Sequence, residues 1–207
     1  MALFDKVVLS TAYMPPVEYF ALIKEAEKAF IEGCEYYQKQ SYRTRTKIYA
    51  TDGTGSLQIP ILKGVSHKQP IRDIKIDYSK PWLIQHKRAI VSAYNSSPFF
   101  EYYQDDIFSV LDKKEEFLFD LNLKLIETFM DLIGLPNNIV ITEEFVKDYE
   151  SGDYRNIIHP KKDNTILAEL KKEKTYYQVF SHKFGFIKNL SILDLLCAEG
   201  PDSLSYL

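Results

Sequence analysis

Between Tyr36 and Tyr49 the chain concentrates side chains that bind anions: Tyr36-Tyr37-Gln38-Lys39-Gln40-Ser41-Tyr42-Arg43-Thr44-Arg45-Thr46-Lys47-Ile48-Tyr49. A guanidinium grips a carboxylate or phosphate through a planar two-pronged fork, and an ammonium adds a compact positive charge. If this run is extended, side chains alternate, so Arg43, Arg45 and Lys47 share one face and Tyr42, Thr44 and Thr46 the other. Gln40 and Tyr42 supply neutral donors and acceptors to the same ligand. Such a row suits a small anionic substrate. The competing reading is a solvated strand face, because clustered Lys and Arg usually mark exposure.

His86 is the sharpest single candidate for proton transfer. It follows Trp82 by four residues and precedes Ala89 by three, which puts it on the apolar side of a helix. There it is either a general base poised near neutrality or a core histidine satisfied by one backbone carbonyl. Asp194, inside Ser191-Ile192-Leu193-Asp194-Leu195-Leu196, has only apolar near neighbours. Its carboxylate either points outward or is buried and paired, an arginine being one candidate partner. Gln178, among the aromatics of Tyr176-Tyr177-Gln178-Val179-Phe180, is a ligand amide or an edge residue. His159-Pro160-Lys161-Lys162 is a loop that closes over a phosphate or lies in solvent, while His67 and His182 have nothing specific around them.

Other chemistries lack their motifs. There is no HExxH, paired CxxC or DxD, so no metal is expected. GxSxG, P-loop and GxGxxG are also missing, and no cofactor is expected. The net charge of −3 argues against a general nucleic-acid binder. Only Cys34 and Cys197 occur, far apart, which fits a reducing compartment without a disulfide framework. The N-terminal residues lack a charged-then-apolar signal pattern, and no apolar run reaches the roughly 20 residues that span a bilayer. A cytoplasmic protein is the expectation; the sequence leaves oligomeric state open. At 207 residues, with 45% hydrophobic side chains, the chain fits a single domain, residues 1–207. Its 15 Tyr and 13 Phe favour polar pockets lined by ring hydroxyls, or simply a Tyr-heavy core.

The elements that must position these residues read as α+β or α/β, with a central mixed sheet flanked by helices. Lys6–Ser10 is a buried strand. Pro15-Pro16 opens a helix along Tyr19, Ile23, Ala26 and Phe30, closed by Gly33. Strands are predicted at about 45–50, 56–62 and 70–77, around the turn Asp52-Gly53-Thr54-Gly55. A helix runs from Pro81 to Tyr94, and a longer, central one covers about 114–133 up to Gly134 and Pro136. A strand follows over Asn138–Thr142. Residues 151–174 look like an exposed loop or lid. Residues 176–180 read as a late strand, and Asn189 or Ser191 caps a last helix that ends at Gly200-Pro201.

Several blocks resemble the WbqC-like protein family: Leu9-Ser10-Thr11-Ala12-Tyr13-Met14-Pro15-Pro16-Val17-Glu18-Tyr19-Phe20, Tyr37 to Arg45, Trp82-x-x-x-His86 with Ala93-Tyr94 and Pro98-Phe99-Phe100, and Phe186 to Leu196 with Gly200-Pro201. They occur in order along nearly the whole chain. Lys188 stands where the family pattern has Pro, and Thr44 where Asn is frequent. The resemblance implies a transferase, of acyl or aminoacyl type, in bacterial surface-polysaccharide (O-antigen) biosynthesis. It places Tyr13, Gln40, Arg43, Arg45, His86 and Asp194 in family-like blocks.

Three readings follow. In the first, a transferase holds the anion of a sugar, nucleotide-sugar or acyl donor on Arg43 and Arg45, His86 deprotonates the attacking group, and Asp194 orients His86 or an arginine. In the second, a non-catalytic module binds an anionic metabolite or a partner protein. In the third, these residues are structural, with buried Arg–Asp pairs. The discriminator is whether Arg43, Arg45 and His86 converge on an open cleft or are sealed in a core.

Overall fold

A computed structural model describes residues 2–64 and 68–207; His67 lies outside the described residues. The chain runs β1 (Phe4–Ser10), α1 (Val17–Lys24), β2 (Ala26–Glu32), β3 (Arg45–Ala50), β4 (Gly53–Gln58), α2 (Trp82–Tyr94), α3 (Phe100–Asp112), α4 (Leu118–Ile133), β5 (Ile139–Ile141), α5 (Ile166–Glu169), α6 (Ser181–Phe184) and α7 (Ile192–Glu199). Strands β1, β2 and β5 form a parallel sheet in the order β1-β2-β5, and β3 and β4 form an antiparallel hairpin. The fold is α+β, with strands of both senses. One apolar cluster joins the sheet to the buried faces of α1, α4 and α7. No helix among the described residues is long and apolar enough to cross a membrane.

The long N-terminal helix is corrected to a helix followed by a strand. Helix α1 stops at Lys24, and Glu25 turns the chain into β2, whose backbone bonds β1 on one side and β5 on the other. Ala26 and Phe30 continue the helical spacing of Tyr19 and Ile23. A strand that completes two ladders nevertheless gains more than one further turn of helix, so tertiary pairing overrides the local period.

Segment 70–77 is not a strand either. Pro70 lacks an N–H, a 3-10 turn occupies Ile71–Asp73, and only single bridges form, Ile61 to Ile76 and Lys75 to Phe117. The hairpin turns at Thr51-Asp52, two residues before the expected centre, because Ala50 pairs with Gly53. Helix α4 begins later than expected, since Glu116 and Leu118 bond Ile76 and Ile74 through their backbones. Residues 176–180 form no ladder. Helix α3 is an addition to the expected elements.

Residues 151–174 are partly built into the structure rather than simply exposed. Val8 N–H donates to the Gly152 carbonyl at 2.7 Å and Tyr154 N–H to the Val8 carbonyl at 2.9 Å, while Arg155, Ile158, Ile166 and Leu170 are buried. Gly152 has φ +74°, and a Cβ there would lie 2.4 Å from the Lys6 carbonyl oxygen, so glycine is required for this approach. At the other end, Ser191 caps α7 by accepting from Leu193 N–H at 3.4 Å.

Candidate functional site

Strand β3 starts only at Arg45, and the preceding residues turn, with Gln40 at φ +60°. Arg43 therefore does not share a face with Arg45. It is 3% exposed and locked in an ion pair: its Nε donates to Glu35 Oε1 at 2.7 Å, and its Nη2 bonds Glu35 Oε2 and donates to Ser10 Oγ at 2.6 Å. A second buried pair, which sequence reasoning did not single out, joins Arg155 to Glu32 at 2.9 Å, with Asp153 as a further partner. Both arginines sit by the carboxyl ends of β1 and β2. There they hold those ends to the turn before β3 and to the 152–155 segment.

His86 is 5% exposed. Its Nδ1 lies 3.0 Å from the Tyr13 hydroxyl, and the ring also hydrogen-bonds the Gln58 backbone carbonyl. A neutral ring serves both, one nitrogen donating and the other accepting. Burial against Trp82, at 5.0 Å between ring centroids, lowers its pKa to about 4. Gln58 pairs with Arg45 in the hairpin register, and Tyr13 N–H donates to the Tyr42 carbonyl at 2.8 Å. His86 thus braces the start of the hairpin from behind.

Asp194 has no arginine partner; its donors are neutral. Gln178 Nε2 donates to Oδ2 at 2.7 Å, Tyr176 donates its hydroxyl at 2.9 Å, and the Tyr94 hydroxyl is a third donor. Desolvation outweighs these bonds and raises its pKa to about 6. Gln178 does more than hold Asp194. Its Nε2 donates to the Ile187 carbonyl at 2.8 Å and its Oε1 accepts from Ile187 N–H at 2.9 Å. The Asp194–Gln178 unit therefore clamps the 186–190 segment.

That segment forms one wall of an open cleft of about 350 Å³. Its lining includes Glu18, Tyr42, Lys47, Lys162, Lys188 and Asn189, together with the carboxylates of Asp163 and Glu173. Glu18, in the first turn of α1, is 1% exposed and hydrogen-bonds the side-chain amides of Asn189 and Asn164. Those amides are oriented: Asn189 Oδ1 accepts from Glu18 N–H at 3.3 Å, and Asn164 Oδ1 from Ile166 N–H at 3.2 Å, which turns both NH₂ groups toward the carboxylate. Desolvation raises the Glu18 pKa, while the amides, Lys47 and Lys188 pull it down. Burial beside Glu18 raises the Tyr42 hydroxyl in turn.

The 159–162 loop brings further cations. Burial and the charges of Lys162, Arg43, Lys161 and Arg45 lower the His159 pKa, so these cations share one neighbourhood. Lys161 Nζ bonds Gln40 Oε1. Arg45 donates weakly to Gln58 Oε1 at 3.4 Å, and its buried Nε finds no partner among the described residues.

Of the sequence candidates, Tyr42 lines the cleft; Gln40 bonds Lys161, and Arg43 and Arg45 lie within electrostatic reach of His159 on the same loop. Tyr13, His86, Gln178 and Asp194 lie behind the walls. Lys47, the third cation of the Arg43-x-Arg45-x-Lys47 pattern, lines the cleft as well. Glu18 escaped notice, although it carries the same signal as Asp194, a lone charge between Met14 and Ile23. No group of three or more His, Cys, Asp or Glu that could hold a metal occurs among the described residues.

The WbqC-like protein family model matches residues 11–162, more than half of the chain, and the protein belongs to that family. The match includes Glu18, Tyr42, Lys47 and Lys162. The chain is also 25% identical over 229 aligned positions to the uncharacterized protein Rv1507c of Mycobacterium tuberculosis, with 96% of each chain covered. No solved structure matches.

Proposed function

We propose that the protein is a transferase that moves an acyl or aminoacyl group onto a sugar of surface-polysaccharide biosynthesis, binding an anionic substrate in the Glu18–Lys47–Lys188 cleft. The observation that carries this reading is a buried carboxylate of raised pKa on the wall of an open cleft that also presents Lys47, Lys162 and Lys188, beside the carboxylates of Asp163 and Glu173. The lysines attract a phosphate or carboxylate. Glu18, with its affinity for a proton raised, accepts one from the attacking hydroxyl or amine as the new bond to the acyl carbon forms. The leaving group departs with the electron pair of the broken bond, and Glu18 returns the proton to it.

In this scheme His86 and Asp194 are positioning residues. His86 holds the hairpin that presents Lys47. Asp194, through Gln178, holds the segment that presents Lys188 and Asn189. The proposed surface-polysaccharide setting rests on the family resemblance alone.

The test is a thermal-shift screen of acyl and aminoacyl donors, sugar phosphates and pyrophosphate against wild type and Lys47→Ala, followed by turnover assays of any hit with Glu18→Gln. We expect shifts that shrink in Lys47→Ala, and turnover that falls about 10²–10⁴-fold in Glu18→Gln while ligand binding persists. Full turnover in Glu18→Gln would remove the proton-transfer role. Unchanged shifts in Lys47→Ala would remove the cleft as the anion site.

A further inference from the structure

A second compartment, also about 350 Å³, adjoins the lysine-bearing cleft and shares Leu167, Glu173, Phe186, Lys188 and Asn189 with it. Its character is different. Tyr176, Phe186 and Tyr206 line it with Val17 and Leu167, and Lys172 and Lys174 border it too, with Lys174 Nζ 5.7 Å over the Tyr206 ring. Phe186 stands edge-on to Tyr176 at 5.2 Å and 87°, and Tyr206 edge-on to Tyr176 at 5.7 Å and 80°, so the three rings brace one another. Phe186 is still 37% exposed, which leaves ring surface free for a ligand. Thr175 and Glu173 add a hydroxyl and a carboxylate to the lining, and Glu173 pairs with Lys188 at 3.6 Å.

Three mutually braced aromatic rings with charged and polar groups around them suit a flat heterocycle that stacks and offers hydrogen-bonding edges. A flexible alkyl chain would call for an aliphatic tunnel. Lys188 lines both compartments, so a ligand occupying both would pass its charge by that ammonium. We propose that the paired compartments form a nucleotide site: the base lies against Phe186 and Tyr206, and the diphosphate runs past Lys188 toward Lys47 and Lys162. This rests on the transferase reading of the cleft and makes its anionic substrate a nucleotide-activated sugar.

Isothermal titration of uridine diphosphate, adenosine diphosphate, inorganic pyrophosphate and butyryl phosphate tests it, on wild type, Phe186→Ala, Tyr206→Leu and Lys47→Ala. We expect at least one nucleoside diphosphate to bind tenfold or more tightly than pyrophosphate. That margin should disappear in Phe186→Ala or Tyr206→Leu and survive in Lys47→Ala, where both ligands weaken together. Equal binding of nucleotides and pyrophosphate would overturn the nucleotide site while leaving the anion cleft standing. Butyryl phosphate binding more tightly than either nucleotide would overturn it in favour of an acyl pocket. No binding by any of the four would overturn the cleft reading and this inference with it. Phe186 is partly exposed, so its variant should fold; saturation transfer from protein to base protons gives a second readout on wild type, and its absence for a bound nucleotide would also overturn the proposal.

Discussion

Helices α1 and α7 are each eight residues long, almost wholly buried, and carry a carboxylate in the first turn, Glu18 in one and Asp194 in the other. They are neighbours: Val17 N–H donates to the Leu190 carbonyl and Ile192 N–H to the Pro15 carbonyl, both near 3 Å. Desolvation raises both pKa values. The difference lies in what completes each shell. Asp194 is enclosed by Tyr94, Tyr176 and Gln178, neutral donors that are themselves anchored in the fold. Glu18 has two asparagine amides from loops, and the cleft lies beyond them with its lysines. A carboxylate whose shell is closed by the core stabilises or destabilises the fold, whereas one that borders a cleft remains available for a ligand's proton. The same contrast separates Arg43, sealed on Glu35, from Lys47, which lines the cleft.

The largest effect should come from breaking the sealed side of this comparison. Arg43→Ala leaves Glu35 charged, buried and unpaired, and should cost about 3–5 kcal/mol in urea denaturation. A loss below about 1 kcal/mol would mean that water reaches Glu35 and that the pair is not sealed.

Next come the pH slopes. His86 titrates at about 4 in the fold against about 6.5 in the unfolded chain, so its contribution is full above pH 6.5 and is lost as pH falls toward 4. Asp194 titrates at about 6 against 3.8, so its contribution is full below pH 3.8 and is lost as pH rises toward 6. Each effect amounts to about 3 kcal/mol, and the two oppose each other between pH 4 and 6. His86→Gln should therefore gain stability on acidification relative to wild type, and Asp194→Asn should lose it. Parallel stability–pH curves for both variants and wild type would contradict the burial of either group.

Gln178→Ala sharpens the comparison, because Gln178 links the sealed carboxylate to the cleft wall. It should cost about 1–3 kcal/mol and also weaken pyrophosphate binding several-fold. Lost stability with unchanged affinity would detach Asp194 from the site. The smallest effect on folding belongs to Lys47→Ala. Stability should stay within about 0.5 kcal/mol of wild type. Pyrophosphate affinity should fall about tenfold, or about 1.4 kcal/mol, by titration calorimetry.

Much of the framework was legible because local signals and tertiary needs agreed there. The apolar stripe of α4, the Trp82–His86 face of α2, the Ser191 cap and the β3 strand all came from spacing and capping. Where the two conflicted, pairing won: Ala26 and Phe30 kept a helical period but joined a parallel sheet, and 70–77 read as a strand but met Pro70. The segment that brings Tyr42 and Lys47 to the cleft was legible as a composition, cations interleaved with Tyr and Gln between residues 39 and 47. Its division into a sealed arginine and a half-buried lysine on the cleft was not. Lys162 and Lys188, more than a hundred residues away, carried no sign that they would face Lys47.

By itself, then, the sequence determined residue chemistry and local periodicity: which charges stand alone in apolar runs, which helices have a buried face, and which segment is rich in anion-binding groups. Tertiary structure alone decided which of those charges are neutralised. Whether a buried carboxylate meets an arginine, a tyrosine or an open cleft depends on residues brought together across the fold, such as Glu35 with Arg43, Gln178 with Asp194, and Asn189 with Glu18. Such distant pairings leave no trace in the spacing of the residues around each one, because the energy that selects them is set by desolvation and partner geometry in the folded state.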